Sequence, residues 1–305
     1  WYNIIISWSS SKLLLNEITT ELRWRYFHRL ILPFSFQEIV EKNNILFDKN
    51  TQYDEKKRSK IKKLFDSYME FWWYPLVLSE NDEYRKRELL EEYYSTIFYK
   101  DLLERHNIQD KKSIEFLMNY FLNTYSSIFS ASKFEKYLKS LGIWTSKATL
   151  LKYTDYIQES FFVINCPKFS WSPKWEIVNP NKIYLIDPGF CKMGNNYSKN
   201  KWKVLENIVA IELYRQWKRF FYFNENKECD FIIRDKIHTT IESAIQVTWE
   251  LENTNIDREI QWLIDAMNKC NLNEWYIITY DTFNEIKENW KEIHIVPIWK
   301  WILRM

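Results

Sequence analysis

Glycine is almost absent from this chain, which has 3 glycines among 305 residues, whereas an average protein contains about 7% glycine. Glycine is the residue that adopts positive φ angles and closes tight turns. Tryptophan is the bulkiest side chain and does neither, yet it occurs 16 times. The composition therefore excludes an ordinary fold with glycine turns at its usual positions.

Other absences exclude whole classes of protein. No stretch approaches the roughly 20 apolar residues of a membrane span, and no signal peptide is present. The four cysteines are far apart and form no CxxC pair, which excludes a zinc motif and a disulfide framework; they are Cys166, Cys191, Cys229 and Cys270. We therefore expect a reduced, cytoplasmic protein without membrane contacts. The net charge of +2 neither requires nor excludes nucleic acid.

Many tryptophans stand where the chain turns or where an element begins. Those positions are Trp8, Trp24, Trp72, Trp73, Trp202, Trp217 and Trp275. We predict that many of them are glycine in the natural protein, encoded by UGA codons that the source lineage reads as glycine. The alternative is a genuinely tryptophan-rich protein that stacks sugars or bases on aromatic side chains. Trp299 and Trp301 lie in an apolar run and are expected to be authentic.

Hydrophobic periodicity predicts an α/β beginning followed by helices. Residues 2–6 form an apolar run typical of a buried parallel strand, and a helix is expected to begin after Pro33. Residues 83–105 predict one long amphipathic helix. The basic run from Lys56 to Lys63 is interpreted as the solvated face of a helix.

The middle of the chain predicts a winged helix-turn-helix. Residues 113–125, 132–141 and 146–159 read as three helices, and an extended segment follows at 161–164. The third helix would offer four side chains to a groove or a phosphate backbone. These are Lys147, Thr149, Lys152 and Tyr153. Winged helices also bind proteins, and the sequence leaves both partners open.

The last third predicts a restriction-endonuclease-like domain. A helix over 204–217 is followed by strands at 219–223, 229–234 and 243–248. In that fold an acid on one strand, here Asp230, and an acid-x-lysine on the next hold Mg²⁺ at a phosphate. Here Gln246 and Thr248 stand at the last two positions, and neither supplies the missing charge. A degenerate domain is therefore expected, and an active nuclease is the alternative.

Further carboxylates near this motif are candidate metal ligands. They are Glu206, Glu212, Glu242 and Glu250. Carboxylates in such places are more often charges on a helix surface or a strand edge than metal ligands.

The whole chain resembles the archaeal-type AAA ATPases that carry a C-terminal domain of unknown function. The matching segments are IIISWSSSKLL at 4–14, ELRWRY at 21–26, LPFSFQE at 32–38, TIFYKDLLER at 96–105, 183–189, LEN at 205–207 and ECDF at 228–231. In that family the positions of Trp8, Trp24, Trp72 and Trp73 are typically glycine. This agrees with the glycine hypothesis independently of composition.

The resemblance implies a P-loop ATPase that uses ATP and Mg²⁺. The Walker A and Walker B motifs are absent, so the chain is expected to be a C-terminal fragment that binds neither ligand by itself. Ser9 and Ser10 would match the polar sensor of the family, and Arg25, or less well Arg23, would match the arginine that meets phosphate. Arg25 is equally interpretable as a surface ion pair.

These patterns together predict a multi-domain α/β protein. We expect the end of the ATPase core at 1–33, a helical lid at 34–108, the winged helix at 109–170 and the nuclease-like domain at 171–305. The intact protein would couple its nucleotide state to contacts with DNA or protein, and it would form homo-oligomers. A Mg²⁺-dependent nuclease and a protein-interaction module without enzymatic activity are the alternatives.

Overall fold

The computed structural model describes residues 27, 29–70, 73–194, 201–225, 228–235, 240–251, 260, 264, 268, 272, 274–288 and 291–305. Several residues singled out in the sequence lie outside these ranges, namely Trp8, Ser9, Ser10, Arg23, Trp24, Arg25 and Trp72. Within the described ranges the fold is mixed α/β, with a three-stranded antiparallel sheet and a six-stranded mixed sheet.

Helices dominate the first part of the described chain. They are α1 (Phe36–Lys42), a 3₁₀ turn (Thr51–Tyr53), α2 (Glu55–Glu70), α3 (Pro75–Ser79), α4 (Glu83–Thr96) and a π-helix (Ile97–Glu104). Helix α1 begins after Pro33 as predicted, because Ser35 and Glu38 form a capping box. The predicted helix over 83–105 is confirmed: α4 continues directly into the π-helix, and Leu90 and Leu102 are buried.

Helix α2 carries the basic run. Lys56, Lys60 and Lys63 are exposed, as the interpretation of a solvated helix face predicts. Arg58 and Lys62 instead bind Asp281, at 3.0 and 2.7 Å. The run therefore has an outer solvated face and an inner face that contacts the C-terminal part of the chain.

The next part of the chain contains the region predicted to be a winged helix. They are α5 (Lys111–Thr124), β1 (Ser127–Ile128), α6 (Ala131–Ser140), α7 (Lys147–Glu159), β2 (Val163–Cys166), α8 (Pro173–Val178) and β3 (Lys182–Leu185). The strands pair in the order β1-β3-β2. Strand β3 lies beyond residue 170, the predicted domain boundary, and it completes this sheet through backbone pairing.

The six-stranded sheet occupies the C-terminal part. After α9 (Pro188–Met193) and α10 (Lys201–Arg215) come β4 (Arg219–Asn224), β5 (Glu228–Arg234), β6 (Ile241–Val247), β7 (Glu274–Thr279), β8 (Asn284–Glu288), β9 (Lys291–Pro297) and α11 (Ile298–Leu303). The strand order is β4-β5-β6-β7-β9-β8, in which β7 pairs in parallel with both β6 and β9.

Alternate residues of β5 enter two separate cores. Phe231 and Ile233 belong to a large core that runs from α1 to α11, whereas Ile232 belongs to a smaller one on the other face of the sheet. The large core includes residues of both sheets. The three-stranded sheet and the six-stranded sheet are therefore packed together, and residues at their junction are buried.

Trp217 occupies a position that favours glycine. It follows the last turn of α10 with a φ of +57°. The Trp217 amide donates to Tyr214, and the Lys218 amide donates to Leu213. This is the hydrogen-bond pattern of a Schellman motif, whose left-handed residue is usually glycine. Gly142 fills the same position, with a φ of +76°, after α6.

Other tryptophans do not share this geometry. Trp73 and Trp275 are buried and have no positive φ. The Trp73 ring stacks on Tyr68 with a centroid separation of 4.0 Å. Trp275 lies inside β7, so its predicted place just before a strand is wrong. Trp202 lies within α10, and Trp299 is buried in α11.

Candidate functional site

Helix α7 presents the lysines predicted to contact DNA. Ser146 caps the helix by accepting a hydrogen bond from the Thr149 amide. Lys147 and Lys152 are exposed, whereas Thr149 is half-buried and bonds to the cap. Tyr153 is buried, at 7% exposure. Its predicted contact with DNA is therefore wrong, because helical spacing places it on the inner face with Leu150 and Ile157.

The surroundings of α7 are also basic. Lys133, Lys136 and Lys139 are exposed on α6, the preceding helix, although Lys139 binds Glu135 at 3.0 Å. Residues 109–170 contain eight lysines and five acidic residues. This part of the chain thus carries more positive than negative charge, which suits a polyanionic partner.

A second candidate site lies where the two sheets meet. Asp230 lies on β5, and Glu206 lies on α10; both are buried. The Gln246 side chain on β6 accepts a hydrogen bond from the Asp230 amide at 3.3 Å. Thr248 follows β6 and bonds locally to Glu250. Three of the four predicted nuclease positions therefore come together, and Thr248 does not join them.

Lys182 completes this site, and the sequence analysis missed it. Its Nζ donates to Glu206 Oε1 at 2.8 Å, to Asp230 Oδ1 at 3.0 Å and to Glu228 Oε1 at 3.1 Å. Tyr184, two residues further along β3, donates its hydroxyl to Glu206 at 2.6 Å. A lysine at the start of an apolar strand with tyrosine at i+2 was the available signal, because both side chains share one face.

Charge and burial set the protonation of this acidic cluster, which we define as Lys182, Glu206, Glu228 and Asp230. Burial and the neighbouring charge of Asp230 raise the pKa of Glu206 to about 8. Burial alone would lower the pKa of Lys182, but the three carboxylates outweigh it and raise that pKa well above its ordinary value. Lys182 is therefore a permanent ammonium at neutral pH.

Two of the other candidate carboxylates, Glu212 and Glu242, contact partners outside the cluster. Glu212 lies near Arg215, at 3.5 Å, and accepts from Gln216 at 3.1 Å. Glu242 binds Lys218 at 2.6 Å. Their alternative interpretation as helix-surface and strand-edge charges accounts for these contacts.

The residues of the acidic cluster do not fit a magnesium ion. Mg²⁺ requires several oxygen ligands in nearly octahedral geometry, but one oxygen of each carboxylate already accepts from Lys182. The second oxygen of Asp230 accepts from the Val247 amide at 3.0 Å. Among the described residues, no group of histidine, cysteine or acidic side chains is arranged to hold a metal ion.

A second contact joins α10 to β3, the two elements that carry Glu206 and Lys182. Asn207 on α10 is fully buried, and its amide group both accepts from the Leu185 backbone N–H and donates to the Leu185 carbonyl, each at 2.8 Å. Consecutive residues of α10 therefore hold β3, one through charge and one through neutral hydrogen bonds.

The chain is 34% identical over 313 residues to the Methanocaldococcus jannaschii protein named "Uncharacterized protein MJ1544", covering 99% of this chain and 69% of that protein. It belongs to the same family as MJ1544. An uncharacterized protein of Haemophilus influenzae is 28% identical over 262 residues, covering 83% of this chain and 61% of the relative. The chain thus spans about two thirds of the length of these family members.

A family model described as a domain of unknown function (DUF8612) matches residues 62–200. No solved structure matches the chain. The matched range contains the winged-helix elements and Lys182, but it ends before α10 and the six-stranded sheet. In the part of the chain that the structure describes, no helix is long and apolar enough to cross a membrane.

Proposed function

We propose that this chain is the C-terminal part of a cytoplasmic AAA-type ATPase, in which a winged helix contacts DNA and the nuclease-like core is catalytically silent. The observation that carries the DNA contact is the exposed start of α7, where Lys147 and Lys152 project next to the basic α6. The intact protein, as a homo-oligomer, would couple ATP binding and hydrolysis to this contact.

The order and pairing of the elements support the winged-helix assignment. Strand β1 lies between helices α5 and α6. Helix α7 is followed by β2 and β3, which pair in antiparallel orientation. In helix-turn-helix proteins the second helix of the motif enters the major groove, and here that helix is α7. Its lysines are single charges without a bidentate fork, so they suit phosphate contacts better than base recognition.

The acidic cluster supports the silent core. An active site would need carboxylate oxygens free for Mg²⁺ and a lysine near the attacked phosphate. Lys182 instead donates to the carboxylates themselves and is 3% exposed. Gln246 provides a neutral carbonyl in place of a carboxylate.

The DNA contact is tested by reversing the charge of the two α7 lysines. We expect K147E/K152E to weaken binding of a fluorescent duplex at least tenfold and to reduce the slope of log K against log[salt] by about 2, because two phosphate contacts are lost. The measurement is fluorescence anisotropy over a series of salt concentrations, using the full chain.

The matched control is K56E/K60E, which reverses two exposed lysines of α2. An equal loss of affinity in both variants would contradict a specific role for α7. Absence of any salt-dependent binding by the unaltered chain would favour a module that binds protein.

A Mg²⁺-dependent nuclease remains the second candidate, because Asp230, Glu206 and Gln246 do converge. Plasmid cleavage by the purified chain with Mg²⁺ or Mn²⁺ decides between the two. The silent core predicts no cleavage above that of D230N. Cleavage that D230N abolishes would establish the nuclease instead.

A further inference from the structure

The Lys182 side chain extends from the three-stranded sheet to acidic side chains on and beside the six-stranded sheet. It lies on β3, in the three-stranded sheet, whereas Glu228 and Asp230 lie on β5, in the six-stranded sheet, and Glu206 lies on α10 between them. The ammonium group has three hydrogens, and the three carboxylates provide one close acceptor each. The ammonium is therefore saturated with charged hydrogen bonds.

The Lys182 ammonium and its acidic partners are each costly to bury without the other. The Lys182 side chain is 3% exposed and Glu206 is fully buried. A buried charge without a partner costs several kcal/mol, so removing one member of a buried ion pair is strongly destabilising. Without the ammonium, Asp230 and Glu228 would lose their counter-charge, and the buried Glu206 side chain would lose a charged donor.

The ammonium also lies where the nuclease-like fold would place a metal ion, beside the acid of β5 and the acid of the preceding helix. Neutral donors also contact two of these carboxylate oxygens. Tyr184 and Val247 donate to Glu206 Oε1 and Asp230 Oδ2. Glu206 Oε2 is buried and has no hydrogen-bond partner among the described residues.

We propose that the Lys182 ammonium is the permanent cation of the nuclease-like core and that it joins the winged-helix sheet to the six-stranded sheet. The core therefore needs no metal ion. Loss of this contact therefore weakens both sheets at once. This inference rests on the contacts of Lys182 and holds whether or not α7 binds DNA.

The test replaces Lys182 with methionine, which keeps most of its length and removes the charge. We expect K182M to lower the Tm of the full chain by about 10 °C, because three buried or half-buried carboxylates lose their cation. Hydrogen exchange should accelerate at the amides of both β3 and β5. A local packing defect at β3 would leave β5 protected.

Lys203 provides a matched control. It lies on α10, is half-buried, and donates to Ser127 of β1 at 2.8 Å, so it also spans the two units. We expect K203M to lower the Tm by only a few degrees, because its partner is a neutral hydroxyl. Equal effects of K182M and K203M would overturn the proposal.

A rescue variant separates loss of charge balance from loss of packing. In K182M/E206Q/D230N the repelling charges are removed together with the cation, and we expect at least half of the lost Tm to return. If K182M does not accumulate as folded protein, recovery of folded chain in the triple variant gives the same answer. A triple variant no more stable than K182M would overturn the proposal.

The metal dependence of the unaltered chain completes the test. We expect neither EDTA nor Mn²⁺ at millimolar concentration to change its Tm, because Lys182 already fills the site. A rise with Mn²⁺ that D230N abolishes would show that a metal ion displaces the ammonium, and the proposal would fail.

Discussion

Trp217 shows how one backbone angle bears on the identity of a residue. A left-handed conformation costs a residue with a Cβ atom about 1–2 kcal/mol relative to the right-handed helix, and the Schellman motif after α10 requires it. The ring is 54% exposed, so little packing energy compensates this cost. The structure therefore gives the glycine hypothesis a physical reason at this position.

The glycine hypothesis predicts that W217G is more stable than the chain with tryptophan. We expect an increase of about 1 kcal/mol in the free energy of unfolding, because glycine adopts positive φ without a steric penalty. Urea unfolding of the purified chain measures this change. W217A is the control. It also removes the indole ring but keeps Cβ, so it should bring no comparable gain in the free energy of unfolding.

Trp73 differs from Trp217 because its side chain is buried. Its ring is buried against Tyr68, and its Nε1 donates to the Tyr68 carbonyl at 2.9 Å. A glycine there would leave a large cavity, which costs about 3–5 kcal/mol for a native aromatic side chain. Stability of W73G equal to that of the unaltered chain would favour natural glycine at this position as well.

Glu206 is expected to make the free energy of unfolding depend on pH. Its folded pKa of about 8 lies above the ordinary value of 4.5, so folding is favoured by the bound proton. The contribution is complete below pH 4.5 and is lost as pH rises through 8. We expect the free energy of unfolding to fall from pH 6 to pH 9 and to fall less steeply in E206Q.

Urea unfolding across that pH range measures the slope. Asp187, whose burial raises its pKa to about 7, contributes with the same sign and is retained in E206Q. The residual slope of E206Q should therefore lie mainly below pH 8. Identical pH profiles of the two proteins would contradict the assignment to Glu206.

At the scale of elements, α10 connects the two sheets. Glu206 reaches the Lys182 ammonium, and Asn207 satisfies both backbone groups of Leu185. Polar side chains buried on a helix are costly unless they are paired. Here their pairing fixes where β3 lies relative to α10.

Replacing Asn207 tests this connection. We expect N207A to lower the free energy of unfolding by about 2–4 kcal/mol, because the amide and carbonyl of Leu185 both lose a buried partner. Asn123 on α5 is the control, since its side chain donates to the Asn119 carbonyl within the same helix. N123A should cost less than 1 kcal/mol, and urea unfolding compares the two variants.

At the scale of the whole molecule, the chain covers 69% of MJ1544 and 61% of the H. influenzae relative. An ATPase core is the proposed content of the remaining part. The coding DNA at and upstream of Trp1 provides the first test. A Walker A motif upstream, with UGA codons at Trp8, Trp24, Trp72, Trp73, Trp202, Trp217 and Trp275, would support both the ATPase and the glycine hypotheses.

The longer protein should hydrolyse ATP, and R25A should reduce kcat by at least tenfold if Arg25 contacts the transferred phosphoryl group. UGG codons and a start codon close to Trp1 would contradict the ATPase and favour a tryptophan-rich binding module. ATPase assays with and without duplex DNA would then show whether nucleotide and DNA contacts are coupled.

The sequence by itself predicted many of the helices and strands between residues 113 and 248, because their apolar spacing and caps are local. The predicted helix over 146–159 corresponds to α7, and the predicted strand over 229–234 corresponds to β5. The sequence also indicated Glu206 and Asp230 as candidate metal ligands, because Glu206 lies in a predicted helix and Asp230 in a predicted strand.

Only the tertiary structure decided which charges meet. Lys182 is 24 residues from Glu206 and 48 from Asp230, and no local pattern relates positions so far apart on different elements. The tertiary structure also placed Tyr153 in the core and β3 in the three-stranded sheet. Periodicity identifies the face of an element, but only packing between elements decides whether that face meets solvent, a core or a buried charge.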